Sequence, residues 1–286
     1  MKLYAKILSI LLFFSVFAGN ANAYVVPMHT YRAAVNQEIY NWVDIVNESG
    51  ASILFYMDGT LIYGNTVSDR RLFFPAKFTQ TGNHVFTINA VLSDGSSWNN
   101  QWTITVYNPT RSLQGAIYYA DKYAILPNPW YRPFASDCTN FVSQILGDDS
   151  GGRFPVSIMP GGWYYSNWFD YSNSWTVVTD FYAYTVAQGF VEAYSGVGWA
   201  VTIGGQNTFI YPPIANGDTE RFKFANGNNH NTFVETYGIS DYDGTYQPLI
   251  DAHTAPHYHS DWRLLSGLGS DWINTTLTNY HFKWDY

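Results

Sequence analysis

The segment Ser136–Gln144 has the sequence Ser-Asp-Cys-Thr-Asn-Phe-Val-Ser-Gln and contains the chain's one cysteine, Cys138. A loop rich in proline and aromatic residues precedes the segment, and apolar residues at helical spacing continue to Gly147, so a helix is predicted to begin near Cys138. A helix N-terminus stabilises a thiolate. Because a single thiol cannot form an internal disulfide, Cys138 is predicted to be either a buried, inert thiol or a nucleophile.

The composition of the 286 residues excludes several classes of protein. Aromatic residues make up 19% of the chain and charged residues only 13%, which is typical of a chain with a large core and not of a disordered one. The formal net charge is −8. No basic patch is present to neutralise phosphates, so no nucleic-acid partner is expected.

The first 23 residues have the pattern of a secretory signal peptide. Lys2 and Lys6 are followed by an apolar stretch from Ile7 to Ala18 and by the small-x-small site Ala21-Asn22-Ala23. No stretch of the sequence is long and apolar enough for a transmembrane anchor. The mature protein is therefore expected to be secreted or periplasmic.

Two regions with different periodicity follow this predicted leader. Residues 24–108 alternate apolar and polar side chains between turn signals such as Asp58-Gly59, which predicts a small all-β sandwich of immunoglobulin-like type. Residues 109–286 begin with helical spacing, which predicts helices over 117–124, 139–146 and 178–188, and continue with strand patterns after about residue 196. This order predicts an α+β domain, and Tyr107–Thr110 is the expected linker.

The histidines are the candidate bases for a nucleophilic cysteine. His230 precedes a predicted strand, at whose start a base can reach a helix N-terminus, although an exposed loop histidine is the simpler interpretation. Asp251 and His253 share one face of the next predicted strand, so either could orient His230. The order of a cysteine at a helix start, a histidine at a strand start and then a polar residue is the papain-like order.

A metal site is not expected from the sequence. His257 and His259 form an H-x-H pair near His253, but Pro256 interrupts the segment and no H-E-x-x-H spacing occurs. No metal and no cofactor are therefore predicted. The remaining histidines are expected to be surface or packing residues; they are His29, His84 and His281.

Residues 137–144 resemble the D-C-T-N-F-V-S-Q signature of a bacterial amidase-domain family, which is related to papain-like cell-wall hydrolases such as CHAP domains. Further pieces resemble other parts of that family in the same order: Tyr119–Ala124, Asn128–Tyr131, Ser174–Thr176, Phe181–Tyr184, Gly217-Asp218 and Ala252–Thr254. Together they cover roughly residues 110–262. The chain departs from the family in having Asn231-Thr232 after the histidine, and in a longer, glycine-rich stretch from Phe190 to Pro213 that is expected to form a lid or substrate loop.

The resemblance implies a papain-like α+β hydrolase domain with Cys138 as nucleophile and His230 as base. It places His253 at the family's H-T position and leaves His253 and Asp251 as alternatives for orienting His230. Support of the nucleophile helix is expected from three polar residues, Asp137, Asn140 and Gln144. The implied activity is hydrolysis of amide bonds, with peptides or peptidoglycan as the expected substrate. The alternative is a non-catalytic secreted protein that binds glycan or peptide and carries a vestigial hydrolase domain.

Overall fold

The computed structural model of the protein describes residues 24–28, 32–46, 50–68, 70–203, 206–210, 212–265 and 271–285. The predicted signal peptide and His29 lie outside these residues. In the part of the chain that is described, no helix has the length and apolar character that a membrane span requires.

Two sheets form the N-terminal region. Its strands are β1 (Tyr24–Met28), β2 (Arg32–Ala34), β3 (Glu38–Val46), β4 (Ala51–Met57), β5 (Thr60–Val67), β6 (Arg70–Lys77), β7 (Gly82–Val91) and β8 (Ser97–Tyr107). One sheet has the order β2-β8-β7-β4-β5, with β2 parallel to β8. In the other, β3 pairs with both β1 and β6. The two sheets enclose a core of apolar side chains and therefore form a β-sandwich.

Alternation along the strands explains this sandwich core. In β4, Ile53 and Phe55 are buried and Ser52 is exposed, because successive side chains point to opposite faces of the sheet. The Phe55 ring stacks on Phe74 with 3.9 Å between the ring centroids. The predicted turn at Asp58-Gly59 is confirmed: β4 and β5 pair across it, and both turn residues have positive φ.

The described residues of the second region form four α-helices, two short 3-10 helices and ten strands. The helices are α1 (Leu113–Tyr123), α2 (Cys138–Gly147), α3 (Asn173–Thr176) and α4 (Val178–Ala187). The strands are β9 (Tyr165–Asn167), β10 (Asp170–Tyr171), β11 (Val191–Ile203), β12 (Gln206–Ile210), β13 (Ile214–Ala215), β14 (Thr219–Lys223), β15 (Asn229–Ile239), β16 (Tyr246–Ala252), β17 (His257–Ser260) and β18 (Thr276–Phe282). The sequence-predicted helices at 117–124, 139–146 and 178–188 are confirmed to within a few residues.

A seven-stranded antiparallel sheet with the order β12-β11-β18-β14-β15-β16-β17 supports the candidate site. Helices α1, α2 and α4 contact this sheet through β15. One apolar cluster joins these helices to side chains such as Phe233 and Phe282, and a second cluster contains Phe222, Val234 and Trp262. Because Phe233 and Val234 are consecutive in β15, the two clusters lie on opposite faces of the sheet.

The expectation of a papain-like α+β fold is wrong. The described residues contain eighteen strands but only three helices of ten or more residues, so the protein is mostly β and contains several sheets. The stretch Phe190–Pro213, expected to be a lid or loop, contains the paired strands β11 and β12. Its glycines lower the strand propensity of the sequence, whereas pairing with neighbouring strands provides the hydrogen bonds that stabilise it. The sheets of the two regions also meet, because β13 pairs with β3.

Candidate active site

Helix α2 carries the candidate nucleophile at its first position. Every residue from Cys138 to Leu146 is buried, and Cys138 is 2% exposed. The apolar residues Phe141, Val142 and Ile145 belong to the cluster that packs the helix on the sheet. The helix is therefore buried on all sides, and its polar residues need partners inside the protein.

The Cys138 thiol is surrounded by weak hydrogen-bond donors. Burial raises the pKa of the thiol, and the backbone N–H of Asn231, together with the hydroxyl and N–H of Thr139, only partly offsets this effect. The Sγ atom lies 3.8 Å from the Thr139 hydroxyl oxygen. Desolvation disfavours the charged form of a thiol, so Cys138 is protonated at neutral pH in this arrangement.

Asp137 and His253 form a buried pair at the start of α2. Oδ2 of Asp137 lies 2.7 Å from Nδ1 of His253, whose Nε2 is 2.8 Å from the carbonyl oxygen of Tyr123. The His253 ring also stacks on Phe141, with centroids 3.8 Å apart. Both ring nitrogens are thus engaged with oxygen atoms of the protein. His253 therefore has no ring nitrogen left to contact the Cys138 thiol.

The Asp137 side chain does not cap α2. Its Oδ1 accepts hydrogen bonds from the Phe134 N–H, at 3.1 Å, and from Nδ2 of Asn140, at 2.8 Å, while Oδ2 contacts His253. No side-chain cap bond is made to the first turn. The N–H groups of that turn therefore have no side-chain acceptor at Asp137.

The other predicted supports of α2 are held by aromatic hydrogen-bond donors. Oδ1 of Asn140 accepts a bond of 2.9 Å from the Trp175 indole N–H, and Oε1 of Gln144 accepts one of 2.9 Å from the Tyr119 hydroxyl. These bonds satisfy polar groups inside an apolar cluster. They also connect α2 to α1 through Tyr119 and to α3 through Trp175.

His230 is not brought to Cys138. It shares the face of β15 with Val234, whereas Cys138 packs on the face that carries Phe233. The His230 ring lies beside Phe224, 6.4 Å between centroids, and its Nε2 has no hydrogen-bond partner. Burial, with a smaller contribution from His257, lowers the pKa of His230 to about 4. The ring is therefore neutral at neutral pH.

Asp251 lies apart from His230 and faces a group of residues that sequence reasoning missed. Its Oδ1 accepts a 2.8 Å bond from the His259 N–H, and Nε2 of His259 lies 2.8 Å from Asp121 and 2.9 Å from Glu235. Burial raises the pKa of Asp251 to about 7, and the hydrogen bond with Glu235 raises the pKa of His259 to about 9. The H-x-H pattern drew attention to His259 in the sequence. It could not indicate the contact with Asp121, because Asp121 is 138 residues away in the chain.

A second buried pair supports the turn before β14. Asp218 contacts Nδ1 of His281 at 2.8 Å and accepts bonds from the Ala215 N–H and from Nδ2 of Asn279. Burial alone would lower the pKa of His281, but the Asp218 carboxylate outweighs it, so this pKa is raised. Gly217 precedes Asp218 at a φ of +89°, and an added Cβ would lie 2.5 Å from a Leu113 methyl. The Gly-Asp pair is thus required by the local packing.

The comparisons with known proteins identify the class of this protein and then its family. At the level of class, the family model that the chain matches describes an amidase domain, a class of hydrolase. The chain belongs to the family described as "Putative amidase domain", whose model matches residues 106–277, more than half of the chain. The match contains Cys138, His230 and His253.

Two proteins of Bacillus subtilis (strain 168) are similar to part of the chain. The uncharacterized protein YjcM is 34% identical over 97 residues, which are 33% of this chain and 21% of YjcM. The uncharacterized protein YhbB is 41% identical over 68 residues, which are 22% of this chain and 20% of YhbB. The alignments thus span about a fifth of each relative.

Solved structures are similar to less than a third of the chain. The CARDB domain of PF1109 from Pyrococcus furiosus is 17% identical with a TM-score of 0.27, covering 30% of this chain and 94% of the domain. The fibronectin(III)-like modules of Clostridium thermocellum CbhA are 19% identical with a TM-score of 0.24, covering 30% of this chain and 46% of theirs. These scores do not define a shared overall fold.

Proposed function

We propose that the protein is an exported amidase of the cysteine type that cleaves amide bonds in cell-wall peptides. The observation that carries the proposal is the start of α2, where the only cysteine of the chain meets backbone N–H groups that Asp137 does not cap. Such N–H groups can stabilise the oxyanion of a tetrahedral intermediate. Export is inferred from the leader-like residues 1–23, and the cell-wall substrate is inferred by analogy from export and amide chemistry.

In the proposed reaction, Sγ of Cys138 attacks the carbonyl carbon and its proton passes to Nε2 of His230. The tetrahedral intermediate collapses to a thioester, and the amine leaves with the proton from His230. Water then attacks the thioester, releasing the acid product and returning the proton to Cys138. The first-turn N–H groups of α2 stabilise the oxyanion in both steps.

The two histidines have different roles in this proposal. Both ring nitrogens of His253 are engaged, one with Asp137 and one with the Tyr123 carbonyl, so it is assigned as a positioning residue for the start of α2. His230 is neutral and its Nε2 is unpartnered, so it can accept a proton. Proton transfer requires the first residues of β15 to turn this ring onto the Cys138 face. The adjoining hairpin turn, residues 225–228, is exposed, but the movement must break the pairing of His230 with Phe222 of β14.

The test is incubation of purified peptidoglycan with the mature protein, followed by mass analysis of the released fragments. The wild type is expected to release amide-cleavage products. Cys138→Ala and His230→Gln are expected to lose at least 100-fold in rate, because one lacks the nucleophile and the other the base. Ser143→Ala is the matched control, since Ser143 lies on the same helix and accepts only the Trp163 indole N–H. Equal release by wild type and Cys138→Ala would contradict the proposed nucleophile.

A non-catalytic binding role is the second candidate, and a surface groove favours it. The groove has a volume of about 480 Å³ and is lined by Trp130, Tyr131, Tyr165 and Trp168, with Trp130 82% exposed. Exposed aromatic rings suit binding of sugars or peptides. If no fragments appear but the protein sediments with peptidoglycan, and Trp130→Ala weakens this sedimentation, the binding role replaces the catalytic one.

A further inference from the structure

Four side chains from four different elements meet on one edge of the second region, and we name them the carboxylate–histidine cluster. They are Asp121 of α1, Glu235 of β15, Asp251 of β16 and His259 of β17. Ligand atoms of Asp121, Asp251 and His259 all lie within 4.8 Å of one another. Glu235 lies beside them, with Oε2 2.9 Å from Nε2 of His259.

Asp251 is the member of the cluster with an unsatisfied carboxylate oxygen. The residue is fully buried, and its Oδ1 accepts the His259 N–H while its Oδ2 has no hydrogen-bond partner. A buried carboxylate oxygen without a donor loses its hydration and gains nothing in return. The same carboxylate supplies one of the three converging ligand atoms. A cation at that point would satisfy it.

The charge of the cluster is also incompletely balanced. Three carboxylates face one imidazole, which carries at most one positive charge. Among the described residues, the ion pairs of these carboxylates are with His259 alone. Lys122, next to Asp121 in the chain, instead lies over the Tyr123 ring, 4.8 Å from its centroid. A divalent cation would supply the missing positive charge.

We propose that Asp121, Asp251 and His259 bind a divalent transition-metal ion, with Glu235 as an additional oxygen ligand or acceptor beside it. One imidazole nitrogen with carboxylate oxygens suits Zn²⁺ or Mn²⁺, whereas Ca²⁺ and Mg²⁺ prefer oxygen ligands alone. Around a tetrahedral ion at about 2.1 Å, neighbouring ligand atoms are about 3.4 Å apart. The present contacts of 2.8 and 2.9 Å at Nε2 must therefore widen by about half an ångström when the ion replaces the proton.

The site would connect α1 to the edge of the sheet and so act on the start of α2. Asp121 lies two residues before Tyr123, whose carbonyl accepts the bond from Nε2 of His253. His259 belongs to β17, the four-residue edge strand of the sheet. A bound ion would hold these two elements together, and the proposed role is thus structural support of the His253 contact, independent of the proposed amidase activity.

The test is calorimetric titration of the metal-stripped full chain with ZnCl₂ and, separately, with MnCl₂. One saturable site per chain is expected, with an increase in the unfolding temperature when the ion is bound. His259→Gln and Asp121→Asn are each expected to weaken the affinity at least tenfold, because each removes a ligand. Asp121 is partly exposed on α1, so its replacement tests the site without altering a buried position.

The control is His84→Gln, because His84 forms a similar pair with Asp58, 2.8 Å apart, on the sandwich. This variant is expected to bind the ion as the wild type does. Thermal unfolding of each variant without metal verifies that it folds. No saturable binding by the wild type, or unchanged affinity in both His259→Gln and Asp121→Asn, would overturn the proposal.

Discussion

The sandwich and the second region differ in what they bury. The sandwich core consists mainly of apolar side chains, with aromatic rings such as Phe55, Phe74 and Phe86 in contact, although strand β3 also buries Asn41 and Asp44. The second region buries ionisable groups next to its apolar clusters; these include Asp137, Asp218, Glu220, Asp251, His253 and His281. Burial of charge is costly unless it is paired, so the second region maintains these groups only through specific partners. The stability of the sandwich should depend on volume, and that of the second region on pairing and pH.

The largest expected change in stability is in the sandwich. Phe55→Ala should lower the free energy of unfolding by about 3 to 5 kcal/mol, because it leaves a cavity among Phe74, Phe86 and Trp102. Denaturant unfolding measures this loss. Leu61→Ala is the control on the adjacent strand, where the side chain is 52% exposed, and it should change stability by less than about 1 kcal/mol. Equal losses in both variants would contradict the role assigned to the sandwich core.

A smaller loss of stability is expected when the buried pair of Asp137 and His253 beside Cys138 is broken. His253→Gln should cost about 2 kcal/mol, because it removes a hydrogen bond to a carboxylate inside the protein. It should also change the rate at which iodoacetamide labels Cys138, since the pair anchors the start of α2. His257→Gln is the control, as that histidine is only half-buried. A stability loss with no change in thiol labelling would show that His253 does not position Cys138.

Glu220 should make the stability of the second region depend on pH. Burial, and then the charges of Asp218 and Asp261, raise the pKa of Glu220 to about 8. Because the folded pKa exceeds the unfolded value near 4.5, the folded state retains the proton, and stability falls as pH rises from about 4.5 to 8. Glu220→Gln should reduce this fall in an unfolding series between pH 5 and pH 8. An identical slope in wild type and variant would exclude Glu220 as its source.

The smallest effect is expected at the exposed pair of the sandwich. His84 and Asp58 lie 2.8 Å apart with partly exposed side chains, and such surface pairs contribute about 0.2 to 1 kcal/mol. His84→Gln should therefore change the free energy of unfolding by less than about 1 kcal/mol, and 1 M NaCl should reduce this difference further. A loss as large as that of His253→Gln would remove the contrast between the two regions.

Local sequence patterns predicted individual helices and turns of this protein better than they predicted its fold class. Helices α1, α2 and α4 and the Asp58-Gly59 hairpin were predicted, because each is encoded by periodicity or turn chemistry within a few residues. The α+β class was wrong because the glycine-rich stretch forms the paired strands β11 and β12, and β11 also pairs with the distant strand β18, which the local sequence does not reveal.

The candidate site was predictable only in part. Cys138 at the start of a helix follows from the sequence and is confirmed by α2. The sequence does not show on which face of β15 His230 lies, because a shift of one residue in a strand moves every side chain to the other side of the sheet. The meeting of His259 with Asp121 and Glu235 was missed, since these residues come from three separate elements.

The amino-acid sequence by itself determined where the helix of Cys138 begins, which residues alternate in the sandwich strands and that the chain resembles an amidase-domain family. These properties depend on neighbours in the chain. Only the tertiary structure decided that Asp137 pairs with His253, that His230 lies across the sheet from Cys138 and that Asp251 faces His259. The physical reason is that partners of buried charges are chosen by the order and register of strands that are distant in sequence.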